Sequence, residues 1–157
     1  MTSLHCKVHL LMDSYDRRCQ LGASRRRLGD ALALHSQKRW TGAIYLGGYA
    51  IECALKSLIC YEEEKNNFKD TTVFQKIQGA RLHNLTNLLN ELKYIEKSIQ
   101  LDRSGIYKAA WKLVSSMWDN DELRYSDKLG DEEDSKKFIA AVKILHTFFL
   151  ARQNEAS

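Results

Sequence analysis

Arg124 and Tyr125 stand side by side in a polar and acidic stretch of the sequence. An arginine can hold a phosphate through its fork of N–H donors, and a tyrosine ring beside it can stack on a nucleobase. The pair therefore predicts contact with a nucleotide or a single-stranded nucleic acid. The alternative is a loop anchor, in which the tyrosine ring packs on the protein and the arginine pairs with a carboxylate. The carboxylates within reach along the chain are those of Asp121, Glu122 and Asp127.

His83 is the second residue whose type could carry chemistry. An imidazole exchanges protons near neutral pH, so His83 could act as a general acid or base while Arg81 or Arg124 grips a phosphate. The alternative is a residue at the start of a helix that bonds the backbone. His35 falls on an apolar helix face, where we expect a core histidine whose hydrogen bonds are satisfied.

The positive charge of the chain is concentrated near its start. The formal net charge is +4, yet residues 1–40 hold eight basic and three acidic side chains, whereas the remainder is close to neutral. Such asymmetry is typical of a surface that faces nucleic acid, although a solvated helix face gives the same pattern. The candidate binding residues in this part are Arg25, Arg26, Arg27, Lys38 and Arg39.

Two charged residues interrupt the most apolar part of the sequence. Glu52 and Lys56 are spaced four apart with the acid first, the favourable order for an ion pair on a helix. We expect them to form a structural polar pair on a central helix, and a polar patch in a groove is the alternative. No metal site is expected, because the four cysteines lack the CxxC spacing and the acidic clusters fit solvated helix starts. No motif for a cofactor is present either.

Size and composition describe an ordinary globular domain. The chain has 157 residues, 44% hydrophobic and 28% charged, which is enough to bury a core. No apolar run reaches the roughly 20 residues that span a bilayer, and the first apolar stretch is too short for a signal peptide. We therefore expect a cytoplasmic protein with free thiols.

Apolar residues at helical spacing predict an all-α, four- to five-helix up-and-down bundle. The chain has no proline, which permits long helices. The predicted helices cover residues 24–39, 40–64, 84–100, 103–118 and 131–150. A long connection over residues 62–82 holds a possible short helix, and residues 119–126 are expected to be a loop. We assign residues 21–153 to one domain and residues 1–20 to an N-terminal extension, with a possible short helix.

The central helix carries glycines that need an explanation. Gly47 and Gly48 cost about 1 kcal/mol each relative to alanine inside a helix. We expect another backbone to come close there. His83 and Asn84 stand at the next strong helix start, where the Asn84 side chain can cap the first turn.

Three segments in order resemble the HEPN family, named for higher-eukaryote and prokaryote nucleotide-binding proteins. They are RWTGAIYLGGYAIECALK at residues 39–56, HNLTNLL at residues 83–89, and the W-x5-R-Y pattern from Trp118 to Tyr125. The resemblance covers about residues 36–150. It implies a HEPN-like bundle of about five helices that is often a homodimer. It also implies a setting in prokaryotic defence or toxin–antitoxin systems, sometimes with a minimal nucleotidyltransferase as partner.

Many members of that family are metal-independent ribonucleases with an arginine, four to six residues, and then a histidine. In this sequence no arginine precedes a histidine at that spacing. We therefore expect a non-catalytic HEPN-like module that binds RNA, a nucleotide or a protein partner. One alternative is a metal-independent ribonuclease with a noncanonical pair, for which His83 and Arg124 are the candidates. The other is a structural, dimeric partner of a nucleotidyltransferase.

Overall fold

The computed structural model of this chain describes residues 13–127 and 130–154, and both segments are mostly helical. Its α-helices are α1 (Arg17–Ser36), α2 (Trp40–Glu62), α3 (Thr72–Lys76), α4 (Leu85–Asn90), α5 (Lys93–Gln100), α6 (Ile106–Met117), α7 (Asn120–Arg124) and α8 (Glu132–Asn154). Two 3-10 helices, Phe68–Asp70 and Gly79–His83, lie between α2 and α4, and the described residues form no strand. The prediction of an all-α helical bundle is confirmed.

Helix α1 starts earlier than the sequence pattern indicates. The predicted start lay near Ser24, but the helix begins at Arg17 because the Asp16 side chain caps it. An Asp16 oxygen accepts from the backbone N–H groups of Arg18 and Cys19, which satisfies donors that the first turn leaves free. Residues 17–20 therefore belong to the bundle and not to the predicted extension. Residues 1–12 of that extension lie outside the described residues.

Helix α2 is the centre of the bundle and packs against both α1 and α8. Its apolar residues Ile51, Leu55 and Leu58 are fully buried, and they form one core with the apolar sides of α4, α6 and α8. By length and composition α2 could cross a membrane, but 78% of its most apolar window is buried inside the molecule. This burial is typical of the central helix of a soluble protein.

Gly47 and Gly48 are sites of close approach, but the neighbours are aromatic rings and not the backbone that we expected. A Cβ on Gly48 would lie 2.0 Å from Cδ1 of Trp118, so the indole occupies the space of a missing side chain. A Cβ on Gly47 would lie 3.2 Å from Cε1 of Phe138 on α8. The glycine pair thus lets α2 pack closely against α8 and against Trp118, the residue that follows α6.

The long connection between α2 and α4 holds α3, in agreement with the prediction of a short helix there. Phe68, in the first 3-10 helix, is fully buried and stacks on Tyr15, with Phe74 of α3 packed edge-on against both rings. The second 3-10 helix ends at His83, directly before the Asn84 cap of α4. The predicted cap is confirmed, because the Asn84 side chain accepts from the N–H of Asn87 at 2.9 Å.

Two elements differ from the sequence prediction. The helix expected over residues 84–100 is broken into α4 and α5 at Glu91 and Leu92, although its apolar stripe stays buried throughout. The stretch expected to be a loop contains α7, whose first turn is capped by the Asp119 carboxylate, which accepts from the N–H of Glu122 at 3.0 Å. Helix α7 therefore fixes where Arg124 stands.

Candidate functional site

A pocket of about 430 Å³ lies where the start of α4 meets the end of α6 and the short helix α7. Its polar lining contains both of the residues that the sequence nominates for chemistry, His83 and Arg124. The other lining residues are Ala80, Asn84, Leu85, Thr86, Ser115, Trp118, Asp119 and Asp121. The fold thus brings together two residues that are far apart in the sequence.

His83 is held in place by a carboxylate from the central helix. Its Nδ1 lies 2.8 Å from Oε1 of Glu52, while 43% of the His83 side chain remains exposed. Lys56 Nζ donates to the same Glu52 oxygen at 2.7 Å. The Glu52 and Lys56 side chains are only 3% and 7% exposed, so this ion pair is buried between α2 and the residues before α4.

The hydrogen bond to Glu52 determines which ring nitrogen of His83 carries the proton. A carboxylate oxygen accepts hydrogen bonds, and Oε1 of Glu52 already accepts one from the Lys56 ammonium. Nδ1 of His83 must therefore be the donor, and Nε2 is the nitrogen available to the pocket. A neutral His83 offers an acceptor there, and a protonated His83 offers a donor with a positive charge.

Arg124 belongs to a cluster of aromatic hydroxyls and rings on α2. Its Nε donates to the hydroxyl of Tyr45 at 3.4 Å, and the Tyr45 ring packs edge-on against Tyr49, which in turn packs edge-on against Trp118. Burial and the neighbouring Tyr45 hydroxyl raise the pKa of Tyr49 to about 12, so this phenol stays neutral. The hydroxyls also raise the pKa of Arg124, which keeps its positive charge.

The loop-anchor alternative for Arg124 and Tyr125 predicted a carboxylate partner, and the described residues place none within ion-pair distance of Arg124. Tyr125 is 78% exposed, so its ring is not packed on the protein. Of the two acidic residues in the pocket lining, Asp119 is engaged as the cap of α7. The charge of Arg124 is therefore open to an outside anion.

The basic residues near the start of the chain do not gather around this pocket. Arg25 acts electrostatically on His146 of α8, whereas Arg27 acts on Cys53 of α2 and pairs with Asp30 at 3.3 Å. Arg25 and Arg27 are two residues apart, about 200° around an α-helix, so they lie on opposite sides of α1. Lys38 lies in the turn after α1, and Arg39 precedes α2 as its cap residue. Binding of nucleic acid by this set stays a prediction.

The other two histidines that the structure describes bond hydroxyl groups between α1 and α8. His35 Nδ1 lies 2.8 Å from the Ser135 hydroxyl, and His146 Nε2 lies 3.2 Å from the Ser24 hydroxyl. Burial raises the pKa of the Cys53 and Cys60 thiols to about 11 and about 12, which makes them poor nucleophiles. Among the described residues, no group of histidine, cysteine and carboxylate side chains has the arrangement of a metal site.

Sequence reasoning did not identify Trp118 as a wall of the pocket. The indole is 7% exposed, and its Nε1 donates to the carbonyl of Tyr45 at 3.0 Å, which attaches the end of α6 to α2. Two features of the sequence could have indicated this role: the adjacent glycines on α2, and a tryptophan six residues before Arg124. Only the fold shows that the two parts meet.

Comparisons with models of known protein families, with curated proteins and with solved structures give no match. The resemblance to the HEPN family therefore rests on the three sequence segments, and the site is interpreted from its own geometry.

Proposed function

We propose that this chain is an RNA- or nucleotide-binding helical module, and that its ligand occupies the pocket lined by His83 and Arg124. The observation that carries the proposal is the convergence of these two residues in one polar pocket at the end of the bundle. A volume of about 430 Å³ falls within the roughly 300–1,000 Å³ typical of small-molecule sites. The HEPN resemblance points to the same class of ligand.

Each group of the ligand has a counterpart in the site. Arg124 keeps its charge and lacks a carboxylate partner among the described residues, so it can bind a phosphate. Tyr125, directly after it, exposes a ring on which a base can stack. Asn84, Thr86 and Ser115 add donors and acceptors for sugar or base. Asp121 faces the same space and disfavours ligands with several adjacent phosphates.

The proposal is tested by measuring fluorescence anisotropy of a labelled single-stranded RNA titrated with the protein. We expect Arg124→Gln to weaken binding by about tenfold, the effect of losing roughly 1.4 kcal/mol of phosphate contact. The matched control is Arg103→Gln, which removes an exposed arginine three residues before the start of α6. Equal weakening by both variants, or no binding by the wild type, would contradict the proposal.

The salt dependence of binding distinguishes a ligand held in the pocket from one held by the basic residues of α1. A ligand held by one arginine loses little affinity with added salt, because the logarithm of affinity falls in proportion to the number of phosphates contacted. We expect a shallow slope, with about one phosphate neutralised. A steep slope that flattens in an Arg25→Gln/Arg26→Gln variant would move the binding surface to α1.

Metal-independent RNA cleavage is the second candidate function, and the geometry of His83 favours it. Because Glu52 holds Nδ1, a neutral His83 presents Nε2 as a base toward the pocket, where it can accept the proton of a ribose 2′-hydroxyl. Arg124 would stabilise the charge on the attacked phosphate. Glu52 would act only as a positioning residue.

Cleavage is tested by incubating RNA with the protein in the presence of a chelator, with His83→Ala as the variant. Loss of cleavage in His83→Ala, with RNA still bound, would establish this second function. Binding without cleavage in the wild type would leave the non-catalytic module. Circular dichroism of the variant controls for unfolding, because His83 also satisfies the buried Glu52.

A further inference from the structure

An apolar groove runs along the outside of the bundle between α6 and α8, away from the pocket of His83 and Arg124. Two adjoining cavities of about 390 and 470 Å³ form it, and they share Ile106 and Ile144. Its apolar lining includes Ile106, Ala109, Leu113, Ala140, Ala141 and Ile144. The side chain of Ile106 is 53% exposed, so the groove opens to solvent.

The groove has the shape of a seat for a helix. Its α8 wall extends from Lys137 to Thr147, which is about 15 Å at the rise of an α-helix. The small side chains of Ala109 and Ala140 let another helix approach closely, while the isoleucines at its middle provide the apolar contact. An amphipathic helix of about three turns, with apolar residues at i, i+3, i+4 and i+7, fits such a groove.

The charges along the rim indicate which helix would fit. Lys137 and Lys143 of α8 line the groove, and Lys112 of α6 is exposed one turn beyond Ala109. Glu133 lies 3.9 Å from Lys137, and both side chains are about 60% exposed, so this pair leaves the lysine accessible. The three lysines outweigh the Glu133 carboxylate, so the net charge of the rim is positive and complements acidic side chains on the flanks of an incoming helix.

The same charges disfavour a second copy of this chain as the occupant. A two-fold dimer through this groove would use the same patch on both copies, so two patches of the same net positive charge would face each other. Like charges placed together across an interface oppose association. A homodimer, expected from the HEPN resemblance, would have to use another face.

We propose that the α6–α8 groove binds an amphipathic helix of a partner protein whose flanks are acidic. This site lies outside the pocket that carries the proposed function, and its failure would leave that function untouched. It gives the module one surface for a nucleotide or RNA and a second for a protein.

The test uses a fluorescein-labelled synthetic helix of about 14 residues, with leucines at helical spacing and glutamates on both flanks. A matched peptide carries lysines in place of the glutamates. We expect the wild type to bind the acidic peptide at least about tenfold more tightly than the basic one, which corresponds to roughly 1.4 kcal/mol. The same loss is expected for the acidic peptide on a Lys137→Glu/Lys143→Glu variant. A Lys65→Glu/Lys97→Glu variant, with the same change of net charge at exposed positions outside the groove, should bind as the wild type does.

Three results would overturn the proposal. The first is equal binding of the acidic and basic peptides, the second is binding that the groove variant and its control weaken alike, and the third is no binding. Light scattering after gel filtration tests the alternative occupant: a dimer that Ala140→Glu dissociates would assign the groove to a second copy. A protein that remains monomeric supports the partner helix.

Discussion

Glu52 connects the core of the molecule to its candidate site. It is 2% exposed, accepts from Lys56 and His83 through a single oxygen, and has no hydrogen bond to Oε2 among the described residues. Burying an ion pair costs desolvation energy, and a hydrophobic pair of similar size is often as stable. The arrangement is thus better explained by what it does to His83 than by what it adds to stability.

The buried pair makes a specific prediction about stability. Glu52→Ala leaves the Lys56 ammonium buried without a partner, so we expect the free energy of unfolding in urea to fall by about 3–5 kcal/mol. The double variant Glu52→Leu/Lys56→Met removes both charges and should recover most of that loss. A double variant as unstable as the single one would show that the charges are not coupled.

His146 predicts how stability depends on pH. Burial, assisted by the charge of Arg25, lowers the pKa of this histidine in the folded state. The unfolded chain therefore binds this proton more readily than the folded chain does. His146 does not reduce the free energy of unfolding above the unfolded pKa of about 6.5, and it reduces that energy as the pH falls below this value. We expect His146→Gln to make the urea midpoint less dependent on pH between 7.5 and 5. An unchanged dependence in that variant would mean that other groups cause it.

At the scale of the elements, α7 and Trp118 form the outer wall of the pocket, and both depend on α2. The indole of Trp118 fills the space over Gly48, and the hydroxyl of Tyr45 on α2 accepts from Arg124. The position of the arginine is therefore set by a glycine and a tyrosine that do not line the pocket.

Gly48→Ala tests this coupling. A Cβ within 2.0 Å of the Trp118 ring forces the indole aside, so we expect the free energy of unfolding to fall by about 1–3 kcal/mol and RNA binding to weaken as well. The control is Gly29→Ala on α1, where a Cβ would meet no atom within 4 Å. That change should stabilise the protein by about 0.5–1 kcal/mol, because alanine favours a helix. If both variants are equally stable, the packing of Trp118 does not position the site.

The sequence predicted the long helices well, because their burial follows a regular spacing. Ile51, Leu55 and Leu58 mark α2, and Phe138, Val142 and Leu145 mark α8 as helices with a buried side. Short elements gave no such signal. Helix α7 spans only Asn120–Arg124, and its formation depends on one capping carboxylate at Asp119.

The residues of the candidate site could be predicted from the sequence, but their proximity in the fold could not. His83 and Arg124 stand out by residue type and local context, but they are 41 positions apart and meet only because α4 and α7 lie at the same end of the bundle. The Glu52–Lys56 pair was expected from its spacing alone. The contact from Glu52 to His83 depends on how the long connection after α2 returns to that helix.

On the scale of the whole molecule, the candidate binding surfaces lie at different places on the bundle. The polar pocket lies at the start of α4, the apolar groove with its lysine rim lies between α6 and α8, and Arg25 and Arg27 lie on opposite sides of α1. Arg25 and Arg27 therefore do not share one basic face. The pocket, rather than the total charge, is the basis of our proposal for nucleotide or RNA binding.

The most direct test of that proposal maps the ligand on the protein by NMR. Addition of a short single-stranded RNA to ¹⁵N-labelled protein should shift the backbone amides of Ala80, Asn84, Thr86 and Ser115. The same amides should stay unchanged in Arg124→Gln at the same RNA concentration. Shifts confined to Arg25, Arg26 and Arg27, with the pocket amides unmoved, would contradict the account and place the binding surface on α1.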